Sequence, residues 1–544
     1  MKRILTLTAS FIIAATTAYA GNVESLGIGA KETAQGKAVA AQADTPFAAY
    51  YNPAGLTQIK QPTLTAGAIV YDAQVYSDNF KLTATTDGTG PYASTKKGDV
   101  ISNGWDTDNE TDDDPLVVPN LGYAMPINNK ISFGIAAYAP YGLHIESNHN
   151  PYDNPLSFYA WESLYARTAV TPTLAYKINE KLSIGFGVSL GQSQSDAGKT
   201  YRYNPFVMAA ASNTDFQTSL GTAVAQVAAG VPGGANVTDA ATITNSIAVT
   251  AITSTDSKNG SLNELKLESK DDFNTSWNAG IMYKPTEKIS LGLTYRSRAM
   301  GDFEGDVFFK GTKIGTVTMN YDHPEQVQGG IRYAVSKSLS VEFDMTWTNW
   351  SINNRQVEKM DLDQLSSTTG DAMTALAAGI NANTTLSATE KSALITALAS
   401  QDLTPGSMTL VSSHDRNWDN TIQYQLGAEW LVNDKLSLRG GVVYDPTPIP
   451  ENTFDQGWPD TDRTLFNIGA GYNITEKLAI DGVFQYVVST PSRDINGNSD
   501  ELNNGFNHDQ TAGLSVLGAP ETEVSIDNDK GILYGLGLNL TYKF

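Results

Sequence analysis

The 544-residue chain contains no cysteine, which excludes disulfides and thiolate metal ligands and is compatible with an oxidising compartment. Basic residues are also scarce. There are 36 Lys and Arg against 58 Asp and Glu, which gives a formal net charge of −22. Nucleic-acid binding requires a basic surface that neutralises phosphates, so we expect no nucleic acid among the partners.

Beyond residue 20 the sequence also lacks any apolar run long enough to cross a bilayer as a helix. Hydrophobic residues make up only 41% of the chain and the mean hydropathy is −0.25, which is low for a helical membrane protein. Residues 1–20 have the form of a secretory signal, with Lys2 and Arg3, an apolar stretch, and Ala18-Tyr19-Ala20 as the cleavage site. A retained membrane helix is the alternative, but the apolar stretch is too short for it.

A short polar turn containing lysine recurs six times, each time directly before a strand-like stretch. The turns are Ile127-Asn-Asn-Lys130, Ile178-Asn-Glu-Lys181, Pro285-Thr-Glu-Lys288, Val335-Ser-Lys337, Val432-Asn-Asp-Lys435 and Ile474-Thr-Glu-Lys477. After Lys181, apolar residues alternate strictly with serine and glycine through Gly191, which places one set on each face of a strand. Because no helical layer separates successive hairpins, the apolar faces are expected to meet lipid. The pattern predicts a transmembrane β-barrel.

Alternating stretches number fourteen, an even number as in bacterial outer-membrane barrels. They are 62–74, 116–127, 131–141, 163–178, 182–193, 274–283, 289–309, 316–335, 339–350, 421–431, 436–445, 464–472, 478–488 and 532–544. The last ends in an aromatic residue, Phe544, as outer-membrane assembly signals do. We therefore predict an all-β membrane protein, a 14-stranded antiparallel barrel over residues 62–544, with the lysine turns on the periplasmic side.

Two long insertions, 200–272 and 351–420, then fall together on the outer side and carry helical signals. Capping boxes begin at Thr214 and Ser387. Each predicted helix has an apolar stripe, formed by Phe216, Leu220 and Val224 in one and by Leu394, Ile395 and Leu398 in the other. Either the two stripes pack on each other above the barrel, or they leave an apolar groove at its mouth that captures hydrophobic molecules.

A third outer loop is densely acidic over residues 106–114. It lacks the ligand spacing and the glycine of an EF-hand, so a solvated loop is the favoured interpretation. We predict no metal and no cofactor.

Residues 21–61 do not alternate, are rich in small residues, and contain Asn52-Pro53-Ala54. Proline restricts both its own backbone and that of the preceding residue, so this tripeptide is predicted to form a stiff turn. A segment of this length ahead of the first strand could enter the lumen as a plug, or hatch.

In this context the sequence resembles the FadL/TodX family of outer-membrane transporters for long-chain fatty acids and hydrocarbons. The resemblance spans almost the whole mature chain. It rests on the segment ending in Asn52-Pro53-Ala54, the fourteen strands, and further short matches: Val118-Pro-Asn120, Ala124-Met-Pro-Ile127, Tyr141-Gly-Leu143, Trp277-Asn-Ala-Gly280, Tyr295-Arg-Ser297, His323-Pro-Glu325, Asp445-Pro-Thr-Pro-Ile-Pro450, Pro459-Asp-Thr-Asp-Arg463 and Thr541-Tyr-Lys-Phe544. The two outer insertions look longer than is usual in the family.

The resemblance implies passive uptake through a plugged barrel. Apolar cargo would be caught between two outer loops, pass to a site near the hatch, and leave sideways where the third strand kinks. Pro140 and Gly142 suit that kink, since proline cannot donate to the ladder and glycine weakens it, although they could equally begin an outer loop.

A fatty carboxylate requires cations, and the family places basic residues near Lys199, Arg202, Arg355 and Lys359. Three further arginines, Arg296, Arg298 and Arg439, have the parity of lumen-facing positions. They are candidates for cargo binding, or for bracing the barrel against Glu342, Asp344 or Asp481, the more common role.

The predicted function is therefore uptake of hydrophobic compounds across the outer membrane of a Gram-negative bacterium, with long-chain fatty acids first and aromatic or aliphatic hydrocarbons second. We expect outer-membrane lipid and lipopolysaccharide as neighbours, and a monomer. A phospholipase or acyltransferase is the enzyme alternative, but no motif ties one of the five histidines to a serine nucleophile. A surface adhesin or purely structural barrel is the alternative without transport.

Overall fold

The computed structural model describes residues 24–74, 76–101, 109–110, 115–212, 214–230, 240–259, 262–399, 407–457, 460–489, 493–510, 512–515, 517–528 and 531–544. The predicted signal peptide lies outside these residues, as does the acidic loop apart from residues 109 and 110. In chain order the strands are β1 (Thr63–Gln74), β2 (Tyr76–Ala84), β3 (Asn109–Glu110), β4 (Leu116–Pro126), β5 (Ile131–Glu146), β6 (Glu162–Lys177), β7 (Leu182–Tyr201), β8 (Asn263–Tyr283), β9 (Ile289–Arg296), β10 (Asp302–Phe309), β11 (Thr312–Asn320), β12 (Gln326–Ala334), β13 (Leu339–Thr348), β14 (Arg355–Leu362), β15 (Met408–Asp415), β16 (Thr421–Leu431), β17 (Leu436–Asp445), β18 (Arg463–Asn473), β19 (Leu478–Ser489), β20 (Arg493–Asn496), β21 (Thr522–Asn528) and β22 (Ile532–Lys543).

Fourteen of these strands close into an antiparallel barrel, which confirms the predicted fold. The wall runs β1, β4 to β9, β12, β13, β16 to β19 and β22, and β22 returns to pair with β1 from Thr63↔Lys543 to Gln74↔Ile532. Each predicted stretch holds one wall strand. Two stretches were predicted too long: 289–309 divides into β9 and β10, and 316–335 into β11 and β12, because the chain leaves the wall after Arg296 and returns at Gln326.

The lysine turns owe their repeated sequence to a side-chain hydrogen bond. In the first turn the side-chain oxygen of Asn128 accepts the backbone N–H groups of Lys130 and Ile131 at 2.8 and 2.9 Å. The equivalent oxygens of Asn179, Thr286, Ser336, Asn433 and Thr475 accept in the same way. Asparagine, serine and threonine close tight turns through such bonds, which explains their place in the repeat.

Neighbouring turns are also tied to one another. The carbonyl of Lys130 accepts from Lys177 N, and that of Lys181 accepts from Lys284 N, both at 2.7 Å. The series continues through the carbonyls of Lys288, Ser338, Lys435 and Lys477, and Phe544 N donates to Pro62 O at the seam. The six turns and the end of the last strand therefore lie at one end of the barrel.

The outward-facing side chains of the wall form an exposed apolar belt. Leu536 is 67% exposed and Ile468 is 64% exposed, although both are fully apolar. Two positions before five of the six turns stands an exposed aromatic residue: Tyr176, Tyr283, Tyr333, Trp430 and Tyr472. An apolar belt edged by aromatic residues is the surface that an outer-membrane barrel presents to lipid.

Four strands extend the wall at the end opposite the turns. β10 pairs with the first part of β8, β11 pairs with β10 and β14, and β14 pairs with β15. The prediction that insertions 200–272 and 351–420 are helical is therefore incomplete. The alternation in Asn263-Glu-Leu-Lys-Leu-Glu268 is a strand signal at the end of the first insertion, and it places Leu265 and Leu267 in a buried core. A separate small sheet in the order β20, β21, β2, β3 lies among the outer loops.

The helices are α1 (Ala30–Ala34), α2 (Ala48–Tyr51), α3 (Pro205–Ser212), α4 (Thr214–Gly230), α5 (Ala240–Ser254), α6 (Ser366–Ala382), α7 (Ala388–Ala399), α8 (Asp500–Asn504) and α9 (Ala512–Ser515). The predicted capping box at Ser387 is present, because Ser387 N donates to Glu390 Oε2 at 2.7 Å and Glu390 N donates to Ser387 Oγ at 3.3 Å. No helix in the described part of the chain combines the length and apolar character needed to span a membrane.

Two outer loops are joined by an ion pair that depends on pH. His414 on β15 lies 3.0 Å from Glu501 on α8, and both side chains are largely buried. Burial lowers the pKa of His414, but the hydrogen bond and charge of Glu501 outweigh it, so the pKa is raised above its usual value of 6.5. The pair therefore stabilises the loops fully below about pH 6.5 and is lost as the pH rises through the raised pKa.

We expect replacement of His414 by glutamine to remove this pH dependence. Hydrogen exchange of peptides 408–415 and 500–504, measured from pH 6 to 9, should show protection that falls with rising pH in the native protein and stays flat in His414→Gln. Peptides of the lysine turns provide the internal control. Equal slopes in both proteins would contradict the assignment.

Candidate functional site

The hatch, residues 24–61, lies inside the barrel with most of its side chains buried. The hatch passes close to glycines on the inner face of the wall. A Cβ at Gly122 would lie 2.7 Å from Pro46 Cβ, and one at Gly134 would lie 2.8 Å from Leu56 Cδ1. Further close approaches occur at Gly185, Gly280, Gly292, Gly427, Gly441 and Gly469. The small residues that alternate with apolar ones in the strands therefore make room for the hatch.

Asn52 connects two parts of the hatch to the wall. Its Nδ2 donates to Ala40 O at 2.7 Å and to Ile281 O at 3.1 Å, while its Oδ1 accepts from Ala54 N at 3.1 Å. A side chain at Gly280 would collide with that Oδ1 atom. Asn52, Pro53 and Ala54 are all buried, and Pro53 begins a 3-10 helix. The tripeptide thus forms a fixed turn against β8.

Two buried carboxylates on β13 hold the middle of the hatch. Asp344 Oδ2 accepts Val39 N at 3.1 Å and Ala40 N at 2.9 Å, and Glu342 Oε1 accepts Ala41 N at 2.6 Å. All three of these bonds are donated by backbone N–H groups of the hatch. These carboxylates therefore anchor the hatch by its backbone and do not depend on its side chains.

Arg439 of β17 braces the wall through charged partners on nearby strands. This is the structural role that the sequence left open for it. Its guanidinium lies 2.9 Å from Glu429 and 2.6 Å from Asp481. The lumen placement predicted for Arg298 is wrong: it is 55% exposed and lies 3.7 Å from Asp322. Strand β9 ends at Arg296, so the alternation no longer determines which way residue 298 points.

The third wall strand, β5, kinks at Ala139 and Pro140. These two residues lie opposite the single residue Thr168 of β6, so the ladder shifts register between Tyr138↔Ala169 and Tyr141↔Arg167. Pairing between β4 and β5 runs from Pro126↔Ser132 to Leu121↔Ala137 and ends there. The alternative that Pro140 and Gly142 begin an outer loop is wrong, because Gly142 pairs with Ala166 and β5 continues to Glu146. Gly142 itself lies above the kink.

The beginning of the hatch closes this kink from inside. Ser25 N donates to Pro140 O at 2.9 Å, and Glu24 forms a bridge with Tyr141. Glu24 also lies 3.7 Å from Lys37, farther along the hatch. Residues 24–29 are here called the arm, and its first two residues pair with the edge of β5 where β4 has parted from it.

A small luminal cavity adjoins the arm and the kink. Its lining includes Tyr50, Tyr138, Pro140, Tyr141, Ser189, Asn278, Pro324 and three potential cations, Arg167, Arg296 and His323. Its volume is about 30 Å³, enough for one or two water molecules and far too small for an acyl chain. A larger ligand could occupy this cavity only after movement of the arm or of neighbouring side chains.

Both arginines in the cavity are held by neutral partners. Arg167 donates to Asn274 Oδ1 at 2.8 Å and to Ser276 Oγ at 3.3 Å. Arg296 donates to Gln326 Oε1 at 2.9 Å and lies over the Tyr50 ring at 4.6 Å. Within the described part of the chain, no Asp or Glu lies within ion-pair distance of either guanidinium. Arg167 is only 4% exposed, and a buried cation of this kind favours an anionic ligand.

His323 contributes hydrogen bonds to this cavity, and no charge. It lies in the loop between β11 and β12, with Nδ1 2.7 Å from Tyr165 Oη and Nε2 2.9 Å from Ser193 Oγ. Burial lowers its pKa well below the usual range, and the charge of Arg167 lowers it further. The positive charge of the cavity therefore resides on the two arginines.

The helical stripes predicted as a capture groove pack together in the outer cap. Leu220, Val224, Leu394 and Leu398 are 1–6% exposed within one core, and Ile395 packs against it. The side chain of Phe216 lies outside the described residues. This is the packed alternative left open by the sequence, and these side chains do not line an open groove in this structure.

The four cations predicted to bind a carboxylate are dispersed across the outer end. Lys199 is buried and lies over the Tyr201 ring at 4.9 Å, and Arg202 lies 3.6 Å from Asp256. Arg355 is 69% exposed, 3.9 Å from Asp415, and Lys359 lies 2.5 Å from Asp361. The structure does not assemble them into one site.

Sequence reasoning missed Arg167, although a usable signal existed. In β6 the exposed residues Val170, Leu174 and Tyr176 occupy even positions, so residue 167 has the parity of the lumen. Arg167 therefore shares the lumen-facing side of β6 with Tyr165 and Ala169. A charged residue on that side is a candidate for a functional or bracing role, as Arg296 is.

The sequence matches the family model described as outer membrane protein transport protein (OMPP1/FadL/TodX) over residues 8–523. Among its relatives is a protein named long-chain fatty acid transport protein from Escherichia coli O6:H1, 24% identical over 79% of this chain and 78% of that protein. Another is outer membrane protein P1 of Haemophilus influenzae, 22% identical over 82% of this chain and 81% of that protein.

Solved structures share the fold. A FadL homologue of Pseudomonas aeruginosa superposes with a TM-score of 0.61 at 17% identity, covering 98% of this chain and all of that chain. The toluene transporter TodX of P. putida gives a TM-score of 0.53 at 12% identity, covering 95% of this chain and 99% of that chain.

Proposed function

Since the chain belongs to the OMPP1/FadL/TodX family of outer-membrane transport proteins, we propose that its cargo is a long-chain fatty acid. The protein resides in the outer membrane of a Gram-negative bacterium. Relatives named for fatty-acid transport and for toluene transport leave the class of hydrophobic cargo open. The choice between them rests on the charge of the cavity.

The pair Arg167 and Arg296 is the observation that carries this proposal. A hydrocarbon offers no partner for a buried guanidinium, whereas a carboxylate accepts two parallel N–H bonds from one. Placing a fatty carboxylate between the two arginines would give a charged partner to guanidinium groups whose hydrogen-bond partners are now neutral. The aromatic side chains of Tyr50, Tyr138 and Tyr141 would then contact the first part of the acyl chain.

Passage needs no energy source beyond a concentration gradient. Exposing an acyl chain to water costs about 0.8 kcal/mol per CH₂ group, so a route along protein and out through the wall is favoured over release into water. In the proposed cycle the carboxylate of the fatty acid binds the two arginines, and the arm leaves Pro140. The acyl chain then passes through the gap between β4 and β5 into the membrane. The rest of the hatch stays on its carboxylate anchors.

Hydrocarbons remain the second candidate, because three tyrosine rings line the same cavity. Native mass spectrometry of protein purified in mild detergent distinguishes the two. We expect fatty acids to co-purify and to be displaced by added palmitate but not by toluene. Neutral hydrocarbons alone, displaced by toluene, would refute the assignment of a fatty acid.

We propose further that the chain has no catalytic role and acts as a monomer in contact with lipopolysaccharide. The support for the first point is that its family consists of transport proteins. Phospholipid hydrolysis by the purified protein, or a mass above that of one chain in detergent-corrected light scattering, would overturn the respective expectation.

The outer cations are proposed to act at an earlier stage than the luminal pair. Arg355 begins β14 of the outer extension and Arg202 directly follows β7, so both lie at the outer end, where arriving fatty acid would first be met. We expect Arg202→Gln combined with Arg355→Gln to slow uptake of labelled palmitate several-fold at low ionic strength, with a smaller effect at high salt, because the exposed charge of Arg355 is screened. Unchanged uptake with normal surface expression would exclude this role.

A further inference from the structure

The kink in β5 is one half of a larger feature of the wall. In β8, Asp272 and Phe273 lie opposite the single residue Gln192 of β7, so this ladder also contains a bulge. Pairing aligns Tyr138, Ala169, Gly191 and Asn274 in one row across β5, β6, β7 and β8. The next aligned row above is Tyr141, Arg167, Ser193 and Asp271. Both bulges therefore fall between the same two rows, and together they form a crease across four strands.

An apolar groove follows this crease on the outside of the barrel. It starts at Pro119 and Leu121 of β4, passes Ala137 and Ala139 of β5 and Leu190 of β7, and reaches Phe273 of β8. Its volume is about 490 Å³, within the range typical of small-molecule binding sites. The β8 bulge turns Phe273 outward, where the ring is 66% exposed at the end of the groove.

Among the described residues, Tyr138 is the one that lines both this groove and the luminal cavity. It is held by a 2.7 Å hydrogen bond to Thr171 Oγ1 and by edge contact with the Tyr50 ring. The groove also begins where β4 and β5 stop pairing, at Leu121↔Ala137. An acyl chain that passes the arm and Tyr138 would thus enter the groove directly.

We propose that this groove, the exit groove, binds the acyl chain of the departing cargo, with Phe273 as its far wall. The proposal rests on the proposed function and extends it to the lipid-facing side. The occupant is a single unbranched acyl chain that arrives from the lumen. The alternative is that bilayer lipids fill the groove, as they fill any depression in the lipid-facing surface.

Photolabelling tests the proposal in lipid nanodiscs. The first probe is palmitate with a diazirine near its methyl end, added to the aqueous phase. The second is a phosphatidylcholine with the same diazirine chain, built into the bilayer, which cannot pass through the lumen. Labelled peptides are mapped by mass spectrometry. We expect the palmitate probe to label the peptides of Tyr138, Leu190 and Phe273, and the phospholipid probe to label the groove about tenfold less.

Two variants separate groove binding from luminal binding. Leu190→Trp fills the groove and is expected to reduce its labelling by palmitate about tenfold, as losing contact with two CH₂ groups would. Labelling of the luminal Tyr141 peptide should persist. Leu538→Trp, at a lipid-facing leucine 53% exposed on another part of the wall, is the matched control and should leave both signals unchanged.

The outcomes are distinct. Luminal labelling without groove labelling, or equal groove labelling by both probes, overturns the exit groove while the transport proposal stands. Absence of luminal labelling in the native protein would instead overturn the proposed function. If Leu190→Trp fails to assemble, Phe273→Ala serves in its place: with the far wall removed, palmitate label should spread beyond residue 273 along β8.

Discussion

Replacing Arg167 and Arg296 together with glutamine is expected to abolish high-affinity binding of palmitate. Glutamine retains hydrogen-bonding capacity toward Asn274 and Gln326 but removes the charge that would meet a carboxylate. A hydrogen bond to a charged group contributes about 1.5–3 kcal/mol, so each substitution alone should weaken binding by about tenfold or more. The double variant should bind too weakly for palmitate to survive purification. Isothermal titration in detergent measures the affinity, and uptake of labelled palmitate by cells measures the consequence.

Hexadecanol gives the internal control, because it has the same chain length and no charge. Its affinity should change little in the double variant, which shows that the cavity is intact. Arg298→Gln is the matched protein control, since Arg298 lies outside the lumen and pairs with Asp322. Equal loss of palmitate and hexadecanol would mean that the arginines only support the fold of the cavity.

Substituting Gly280 with leucine is expected to displace the hatch and open the barrel. A side chain there meets Asn52 Oδ1 and Pro53 Cδ, and neither can withdraw without breaking the bonds from Asn52 to Ala40 and Ile281. Overpacking a well-filled site costs about 1–3 kcal/mol even where neighbours can adjust. Planar bilayers should show little conductance for the native protein and frequent ion-conducting openings for Gly280→Leu.

A second glycine tells displacement of the hatch apart from damage to the wall. Gly482 of β19 has lipid-facing parity, and a Cβ there would come no closer than 3.9 Å to Gly537 O. Gly482→Leu should therefore insert normally and remain closed. Two results would show that the hatch does not depend on this contact. One is similar conductance in both variants, and the other is a Gly280→Leu variant that stays closed and shows the normal shift in electrophoretic mobility on heating.

The barrel could be predicted because period-two alternation depends only on neighbouring residues and on which face meets lipid. The same rule failed for Arg298, where the strand had ended, and for residues 289–309, where the alternation continued into a strand of the outer extension. Alternation marks strands but does not say which sheet they join. Strand pairing is set by contacts far apart in sequence, such as that of β10 with β8.

The candidate site was harder to predict because it is assembled from distant segments. Arg167, Arg296 and the arm near residue 25 meet only after the barrel closes and the hatch folds back. The kink was anticipated from Pro140, whose missing N–H group is a local property. The bulge at Phe273 had no comparable sequence signal, because neither aspartate nor phenylalanine is excluded from a regular strand.

The seam between β1 and β22 has a consequence for the order of assembly. Strand β1 pairs with β4 on one side, but its partners in β22 lie more than 450 positions later in the chain, so the barrel cannot close until β22 has been delivered. Until then the first and last strands present unpaired edges, which other chains can join. The hatch contacts glycines on strands from β4 to β18, and its Ala30 N binds Asn539 on β22. The segment that emerges first from the export machinery is therefore among the last to reach its final position.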